Sequence, residues 1–253
     1  MSGHSKWSQI KHQKGQADVR RGQLFTKLAR EVAVAARTGG PEPNTNRRLQ
    51  LAIEKARENN MPIVNIERSI KRATGQNGGN QTTLDEITYE GFGPGGAAIL
   101  VQAVTDNRNR AASDIRGVFD RNNGKMGQVG SVSWLFEKKG LITVNVEPNQ
   151  ADEVALLAID QGAEDFTTEG QTLEIVSSLD RLELLRNSLE AHGLLLAAAE
   201  ATMVPTTQVV LDDRSAEQTL KLLDRLEDLD DVQRVFTNAD FPESILEKYR
   251  SAA

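Results

Sequence analysis

The sequence predicts a multi-domain chain of mixed α and β structure (α+β). An N-terminal three-helix bundle precedes two ferredoxin-like α+β domains, one inserted in the other. Three observations predict this class. Apolar residues recur at helical spacing through the first quarter of the chain, a Gly/Asn-rich break follows at 76–80, and the apolar period then alternates between strands and helices. With 253 residues, the chain has room for two or three domains.

The first helical pattern lies between residues 20 and 40. Leu24, Leu28 and Val32 fall on one face, which predicts a side that packs against the other helices. Lys27, Arg30 and Arg37 fall roughly opposite, so we expect them to face water or phosphate. The stretch 38–41, Thr-Gly-Gly-Pro, ends the helix because Gly accepts the left-handed cap conformation and Pro cannot continue a helix.

Two further helices complete the predicted bundle. Asn44, Thr45 or Asn46 can cap the second, which Asn59-Asn60 ends. Pro62 suits the first turn of the third. In that helix the spacing predicts that Ile63, Ile66 and Ile70 face inward and that Arg68, Lys71 and Arg72 face outward.

After the Gly/Asn-rich linker the predicted elements form two α+β units. The order from 141 onward is β-α-β-β-α-β, which is the split βαβ arrangement. The elements before 130 and after 205 form the other unit. The predicted elements are strands 84–89 and 97–104, helix 106–123, strands 132–136 and 141–146, helix 151–160, strands 163–167 and 173–176, helix 179–191, strand 195–204, strand 208–211, helix 215–226, strand 232–237 and helix 244–249.

These elements give four predicted parts. They are a basic arm (1–20), a helical bundle (21–76), a discontinuous α+β domain (77–129 with 206–253) and an inserted α+β domain (130–205).

Charge is distributed unevenly along the chain. Residues 1–75 contain 15 Lys or Arg and 6 Asp or Glu, a formal charge of +9, whereas the remainder contains 15 and 30, a charge of −15. Such asymmetry indicates a module that binds a polyanion, joined to a carrier that repels nucleic acid. The alternative is a solvated charged surface without a ligand. We favour binding because the excess is confined to one segment of an acidic protein.

Composition and motifs argue against several other classes. The chain has no Cys and only three His, so we expect no disulfide, no metal site and no cofactor. Gly91, Gly93 and Gly96 satisfy GxGxxG, but the following residues continue as strand, whereas a dinucleotide site needs a helix there. No nucleophile-base arrangement or phosphate-binding Walker loop is present, so we expect no catalytic residue, no enzyme activity and no small-molecule substrate. We expect a cytoplasmic protein without membrane contact, since no apolar run approaches a membrane span and the start lacks a secretory signal.

Several motifs together resemble the YebC family over nearly the full length. They are Gly3-His4-Ser5-Lys6-Trp7, Ile10-Lys11-His12, Phe25-Thr26-Lys27-Leu28, Asn60-Met61-Pro62, Asn65-Ile66-Glu67-Arg68, Ile70-Lys71-Arg72, Tyr89-Glu90-Gly91, Gly95-Gly96, Thr105-Asp106-Asn107-Arg108-Asn109-Arg110 and Gly130-Ser131-Val132. The resemblance implies the inserted-domain arrangement. The stretch 38–43 departs from the family, whose members tend to have a longer glycine-rich loop there.

The family resemblance implies a function in gene expression. The family includes probable transcriptional regulators that bind DNA, a mitochondrial translational activator of a cytochrome oxidase subunit, and bacterial relatives that act at the ribosome on proline-rich nascent chains. The first expectation is therefore a non-enzymatic regulator of transcription that contacts DNA through the basic bundle. The alternative is a ribosome-associated translation factor that binds rRNA or tRNA. A third class is a scaffold whose basic bundle binds an acidic protein.

The candidate nucleic-acid contacts are cations and one aromatic residue. Arg68, Lys71 and Arg72 lie on the third helix, and a basic arm surrounds Trp7, whose indole can stack on a base or pack on the bundle. Asp106 or Asn107 can cap a helix that has Arg108 and Arg110 in its first turn, where two interpretations stay open: an anion site, or pairs with acidic neighbours. The full candidate set is Lys6, Trp7, Lys11, Lys14, Arg20, Arg21, Lys27, Arg30, Arg68, Lys71, Arg72, Arg108 and Arg110.

Overall fold

The computed structural model describes residues 18–75, 84–147 and 149–251. Its first part is a bundle of three helices: α1 (Asp18–Gly39), α2 (Arg47–Glu58) and α3 (Ile63–Ala73). The core of the bundle contains Leu28 and Val32 of α1, Leu49 of α2 and Ile66 of α3, each no more than 2% exposed. The inward face expected for the first helix is confirmed, since Leu28 and Val32 are buried and Leu24 packs against the core.

Asn46 fixes the joint between α1 and α2. Its Oδ1 accepts from the backbone N–H of Leu49 at 3.1 Å, which caps α2, and its Nδ2 donates to the carbonyls of Ala35 and Gly40 at 2.8 Å. A Cβ at Gly39 would come within 2.6 Å of the Asn46 side chain, so this joint requires glycine there. Of the three caps that the sequence permits, the structure uses Asn46.

The expectation that Ile63 faces inward is wrong. Ile63 is 55% exposed and Val64 is 58% exposed, whereas Ile66 is buried and Ile70 packs against the core. Pro62 is the N-cap of α3 and makes no side-chain cap hydrogen bond. Ile63 and Val64, in the first turn of α3, therefore face solvent, although Ile63 has the helical spacing of Ile66 and Ile70.

The second part is built on a four-stranded antiparallel sheet in the order β3-β1-β2-β9. Three helices, α4, α7 and α8, pack their apolar side chains against its strands. Two short strands, β8 and β10, pair in parallel. In the chain, β8 comes directly before α7 and β10 directly before α8. The elements are β1 (Asp85–Phe92), β2 (Ala98–Thr105), α4 (Arg108–Arg121), β3 (Lys125–Met126), β8 (Val209–Val210), α7 (Asp213–Glu227), β9 (Val232–Thr237), β10 (Ala239–Asp240) and α8 (Glu243–Ser251).

The third part is a second antiparallel sheet in the order β5-β6-β4-β7. With two helices between its strands it has the β-α-β-β-α-β order of a ferredoxin-like unit. Its core includes Ile142, Leu173, Leu185 and Leu189. The elements are β4 (Phe136–Asn145), α5 (Ala151–Asp160), β5 (Asp165–Glu169), β6 (Thr172–Ser177), α6 (Leu182–Ala191) and β7 (Leu196–Pro205).

The two strands expected at 132–136 and 141–146 are instead one strand preceded by a turn. Ser133–Leu135 forms a 3₁₀ turn and β4 runs without interruption from Phe136 to Asn145. Lys138, Lys139 and Gly140 continue the ladder because each pairs with a residue of β7. The prediction failed because a polar stretch was taken as a connection.

The α+β fold class is confirmed: a helical N-terminal part is followed by two antiparallel sheets with helices. β9 returns from the C-terminal part of the chain to the sheet that β1 and β2 begin, and the strands of the other sheet all lie between them in sequence. We retain the four domain boundaries as a proposal that agrees with this strand order. No helix in the described ranges is long and apolar enough to cross a membrane.

Candidate nucleic-acid interface

The outward side of α3 carries three cations. Arg68, Lys71 and Arg72 are all exposed, and within the described ranges no salt bridge joins them to a carboxylate. Arg68 makes one weak contact, from its guanidinium to Oδ1 of Asn65 at 3.4 Å. The residues lie at i, i+3 and i+4, so they share one side of the helix. We call them the α3 cation group.

Packing on the opposite side fixes the orientation of the α3 cation group. Ile66 and Ala73 are 2% and 5% exposed and pack against α1 and α2. With these two positions buried, the side chains at 68, 71 and 72 must point outward. Arg57, in the last turn of α2, is a further exposed cation without a described carboxylate partner. Arg57 is not among the candidates predicted from the sequence, although it contributes to the same local charge excess.

Two candidate cations on α1 lie at the joint between the bundle and the first sheet. Lys27 donates to the carbonyl of Glu227, and Arg30 donates to the carbonyl of Asp230. Arg30 also forms a salt bridge with Asp231 at 2.8 Å, with only 20% of its side chain exposed. The expectation that Lys27 and Arg30 lie free on an outer face is wrong, because the end of α7 and the segment before β9 cover that side of α1. Their role as phosphate contacts stays a prediction.

Asp231 contacts polar side chains from three parts of the chain. Besides Arg30, it accepts from Nη2 of Arg110 at 3.0 Å and from Oγ1 of Thr105 at 3.0 Å. The Asp231 carboxylate, and then that of Asp106, raises the pKa of the Arg110 guanidinium. The Asp231 carboxylate is only 10% exposed and bridges two arginines. It therefore connects α1, α4 and β2 with the segment before β9.

The start of α4 is paired with acidic side chains. Asn107 is the N-cap, and Arg108 donates from Nε to Asp85 at 2.7 Å. Its hydrogen bond is the largest cause of a lowered Asp85 pKa. Arg110 likewise lowers the pKa of Asp106, from which it lies 2.7 Å. The structure shows both arginines paired with acidic neighbours, and the contact of Arg108 uses only its Nε. Their role as phosphate contacts stays a prediction.

The remaining candidates lie at the start of α1 or in the arm before it. Arg21 is exposed near the start of α1. Arg20 lies in α1 but its side chain is outside the description. Lys6, Trp7, Lys11 and Lys14 lie outside the described residues. Their roles stay predictions.

Two kinds of site, a metal site and a dinucleotide site, can be compared directly with the described residues. Across 18–75, 84–147 and 149–251, no group of three or more acidic or histidine side chains is placed to hold a metal ion. Gly91 lies in β1, Gly93 and Gly96 lie in the turn that follows it, and the chain then continues as β2 and not as a helix. The dinucleotide interpretation therefore fails for a geometric reason.

Comparison with known proteins agrees with this architecture. A family model described as the TACO1/YebC protein N-terminal domain matches residues 5–76, and one described as the TACO1/YebC second and third domain matches residues 84–239. The chain belongs to the TACO1/YebC family. The boundary between the two matches falls in the Gly/Asn-rich break that separates the bundle from the sheets.

Relatives in the TACO1/YebC family are similar over their whole length. A probable transcriptional regulatory protein of Dehalococcoides mccartyi is 51% identical over 253 residues, which covers 100% of both chains. A protein of the same description from Chloroflexus aggregans is 49% identical, covering 99% of this chain and 100% of its own. The crystal structure of a conserved hypothetical protein from Aquifex aeolicus matches with a TM-score of 0.81 at 42% identity, covering 91% of this chain and 95% of that one.

Proposed function

We propose that this chain is a non-enzymatic regulator of gene expression that binds DNA through the α3 cation group. The observation that carries the proposal is the exposure of Arg68, Lys71 and Arg72 on one side of a packed helix, without a described carboxylate partner. Arg30 and Arg110, in contrast, are engaged with Asp231. The α3 cation group thus keeps its charge available for a ligand.

The geometry of α3 suits a phosphate backbone. Arg68 and Arg72 are about 6 Å apart along the helix axis, so their head groups can reach neighbouring phosphates of one strand. The net negative charge of the chain after residue 75 disfavours nucleic acid over most of the remaining surface, which limits the orientations in which a polyanion can approach. Both features favour binding that depends on charge and orientation.

The preference for DNA rests on the relatives, whose names describe probable transcriptional regulatory proteins. The exposed side of α3 supports a ribosome-associated translation factor as the second candidate. Apart from its cations, it presents Ile63, Val64 and Glu67, and it lacks a fully exposed Asn or Gln of the kind that reads adenine edges. Recognition of a backbone or of RNA shape needs no such side chain.

Cross-linking in cells, scored as DNA, mRNA or rRNA, tests the proposal directly. We expect most cross-links on DNA, and we expect the protein to leave the ribosome fraction on sedimentation at physiological salt. Co-sedimentation with ribosomes, together with rRNA cross-links and no preference among DNA sequences, would replace the transcription proposal by the second candidate. Complexes that survive nuclease treatment and contain only protein would favour an acidic protein partner and contradict both.

A further inference from the structure

A glycine-containing loop between β3 and β4 has its shape fixed by one buried glutamate. Oε1 of Glu90 accepts from the backbone N–H of Gly130 at 2.7 Å, and its Oε2 accepts from those of Val132 and Ser133 at 2.7 and 2.8 Å. Burial acts to raise the pKa of this carboxyl, but the three backbone donors outweigh it, so the Glu90 pKa lies below its ordinary value. The carboxylate is therefore charged at neutral pH and holds the loop in one conformation.

Two glycines allow the loop to take this shape. Gly130 has a φ of +86°, a backbone conformation that residues other than glycine rarely adopt. A Cβ at Gly127 would lie 2.4 Å from Oγ of Ser131, so the loop closes against that position. We call residues 127–134 the Glu90 loop.

The Glu90 loop presents two apolar side chains to solvent. Trp134 is 71% exposed and Val129 is 93% exposed, whereas Val132 and Phe136 on either side of Trp134 are buried against the first sheet. The indole N–H of Trp134 donates to the carbonyl of Ser131 at 3.2 Å. The ring is thus positioned by a fixed loop while most of its surface remains in water.

The sequence around the Glu90 loop has a net positive charge, whereas the chain after residue 75 as a whole has a net negative charge. Residues 121–139 contain four Lys or Arg and one Glu, although the chain after residue 75 has twice as many acidic as basic residues. Lys125, just before the loop, and Lys138, just after it, are exposed and form no described salt bridge. An exposed aromatic ring with cations on both sides in sequence is the combination that binds unpaired nucleotides: the ring stacks on a base and the cations attract the phosphates.

We propose that Trp134 stacks on an unpaired nucleobase of the nucleic acid that the α3 cation group binds. This inference rests on the proposed function and adds to it a preference for single-stranded segments. Stacking does not depend on base identity, since every base has a π-face, so it agrees with the scarcity of base-reading side chains on α3. An acidic peptide presents a planar π-face only where it contains an aromatic residue, whereas every nucleotide carries one.

Fluorescence of Trp134 tests the inference. The chain has two tryptophans, so the Trp7→Phe variant leaves Trp134 as the sole indole. This variant is titrated with single-stranded DNA, single-stranded RNA, an abasic strand of equal length and a fully paired duplex. We expect quenching by the single strands that carry bases and little change with the abasic strand or the duplex. The DNA and RNA arms show which source of unpaired base is preferred.

Affinity measurements separate this inference from the proposed function. In the full chain, Trp134→Ala should weaken single-strand binding roughly 5- to 150-fold, the range for losing one stacked base. Trp134→Phe should retain most of that affinity, and duplex binding should be little changed in both. Since the ring is exposed, we expect both variants to unfold at the wild-type temperature.

Each outcome has a defined meaning. Unchanged single-strand affinity in Trp134→Ala, with binding still abolished by charge reversal of the α3 cation group, would overturn the stacking inference and leave the proposed function intact. Quenching by bases that persists after that charge reversal would support stacking and contradict the proposed binding face. Equal quenching by abasic and base-containing strands would overturn stacking, and binding of no nucleic acid would overturn both.

Discussion

Arg30 of α1 and Asp231, the residue before β9, form a 2.8 Å salt bridge between segments that lie 201 positions apart in the chain. This bridge and the hydrogen bonds of Lys27 and Arg30 to nearby carbonyls attach the bundle to the first sheet. Helical spacing assigns Lys27 and Arg30 to an outer surface, but both help to fix the orientation of the bundle relative to the first sheet. The α3 cation group keeps its exposure in that arrangement.

Removing the Asp231 carboxylate should destabilise the protein more than removing Arg30. Asp231→Ala deprives Thr105, Arg110 and Arg30 of an acceptor, whereas Arg30→Ala leaves Asp231 with its other two partners. Loss of a largely buried acceptor costs about 1–3 kcal/mol. Urea unfolding should show that loss for Asp231→Ala and a smaller one for Arg30→Ala. Equal losses would mean that the other contacts of Asp231 contribute nothing.

Asn46→Ala should lower the free energy of unfolding by about 2 kcal/mol. The change removes the cap of α2, typically worth about 1 kcal/mol, and two donations to carbonyls of the joint. Asn46→Ser is the matched control, because its hydroxyl can still accept from Leu49 as an N-cap while both donations are lost and no charge is buried. Its stability should lie between those of the wild type and Asn46→Ala. A control as stable as the wild type would show that the donations to Ala35 and Gly40 are unimportant.

Glu90→Gln should destabilise the protein in a manner that depends on pH. Since folding lowers the Glu90 pKa, the charged carboxylate contributes stability above its unfolded pKa, and that stability is lost as the pH falls through the folded pKa. The difference in unfolding free energy between wild type and Glu90→Gln should therefore be constant near neutrality. It should shrink once the pH falls below 4.5, the ordinary value for this group.

The contacts of Glu90 set the size of the stability loss expected for Glu90→Gln. A glutamine has one acceptor oxygen and directs an N–H₂ group toward backbone donors, so we expect a loss of about 1–3 kcal/mol at neutral pH. Glu86→Gln on the same strand is a control, because that carboxylate is half exposed and pairs with Arg48. A pH-independent difference for Glu90→Gln would contradict a charged anchor.

Local patterns predicted those parts of the fold that depend on neighbouring residues. The stripe of Leu28 and Val32 predicted the buried face of α1, and Gly40, with a φ of +91°, follows the end of that helix as its composition indicated. The β-α-β-β-α-β order from 141 onward also followed from local periods, although β4 begins earlier. Each of these features is decided within a few residues along the chain.

Contacts between distant segments could not be predicted from the same patterns. Periodicity placed Arg30 opposite Leu28, but it contains no information about a second domain covering that side. Similarly, three residues could cap α2, and the choice of Asn46 depends on its fit against Gly39 and the carbonyl of Ala35. Glu90 looked like an ordinary strand residue of a family motif, and its role as an anchor emerges only when the loop 40 residues later folds over it.

Charge reversal of the α3 cation group is the most direct test of the account. The variant Arg68→Glu/Lys71→Glu/Arg72→Glu is compared with Arg116→Glu/Lys221→Glu/Lys248→Glu, which reverses three exposed cations elsewhere and likewise changes the net charge from −6 to −12. Binding to a labelled DNA duplex is measured over a salt series. We expect the first variant to bind at least about tenfold more weakly and to reduce the log–log salt slope by about 0.9 for each phosphate that it no longer neutralises. The control should stay close to wild type, with thermal unfolding little changed in both. Equal weakening in the two variants, or none in the first, would contradict the claim that α3 presents the binding surface.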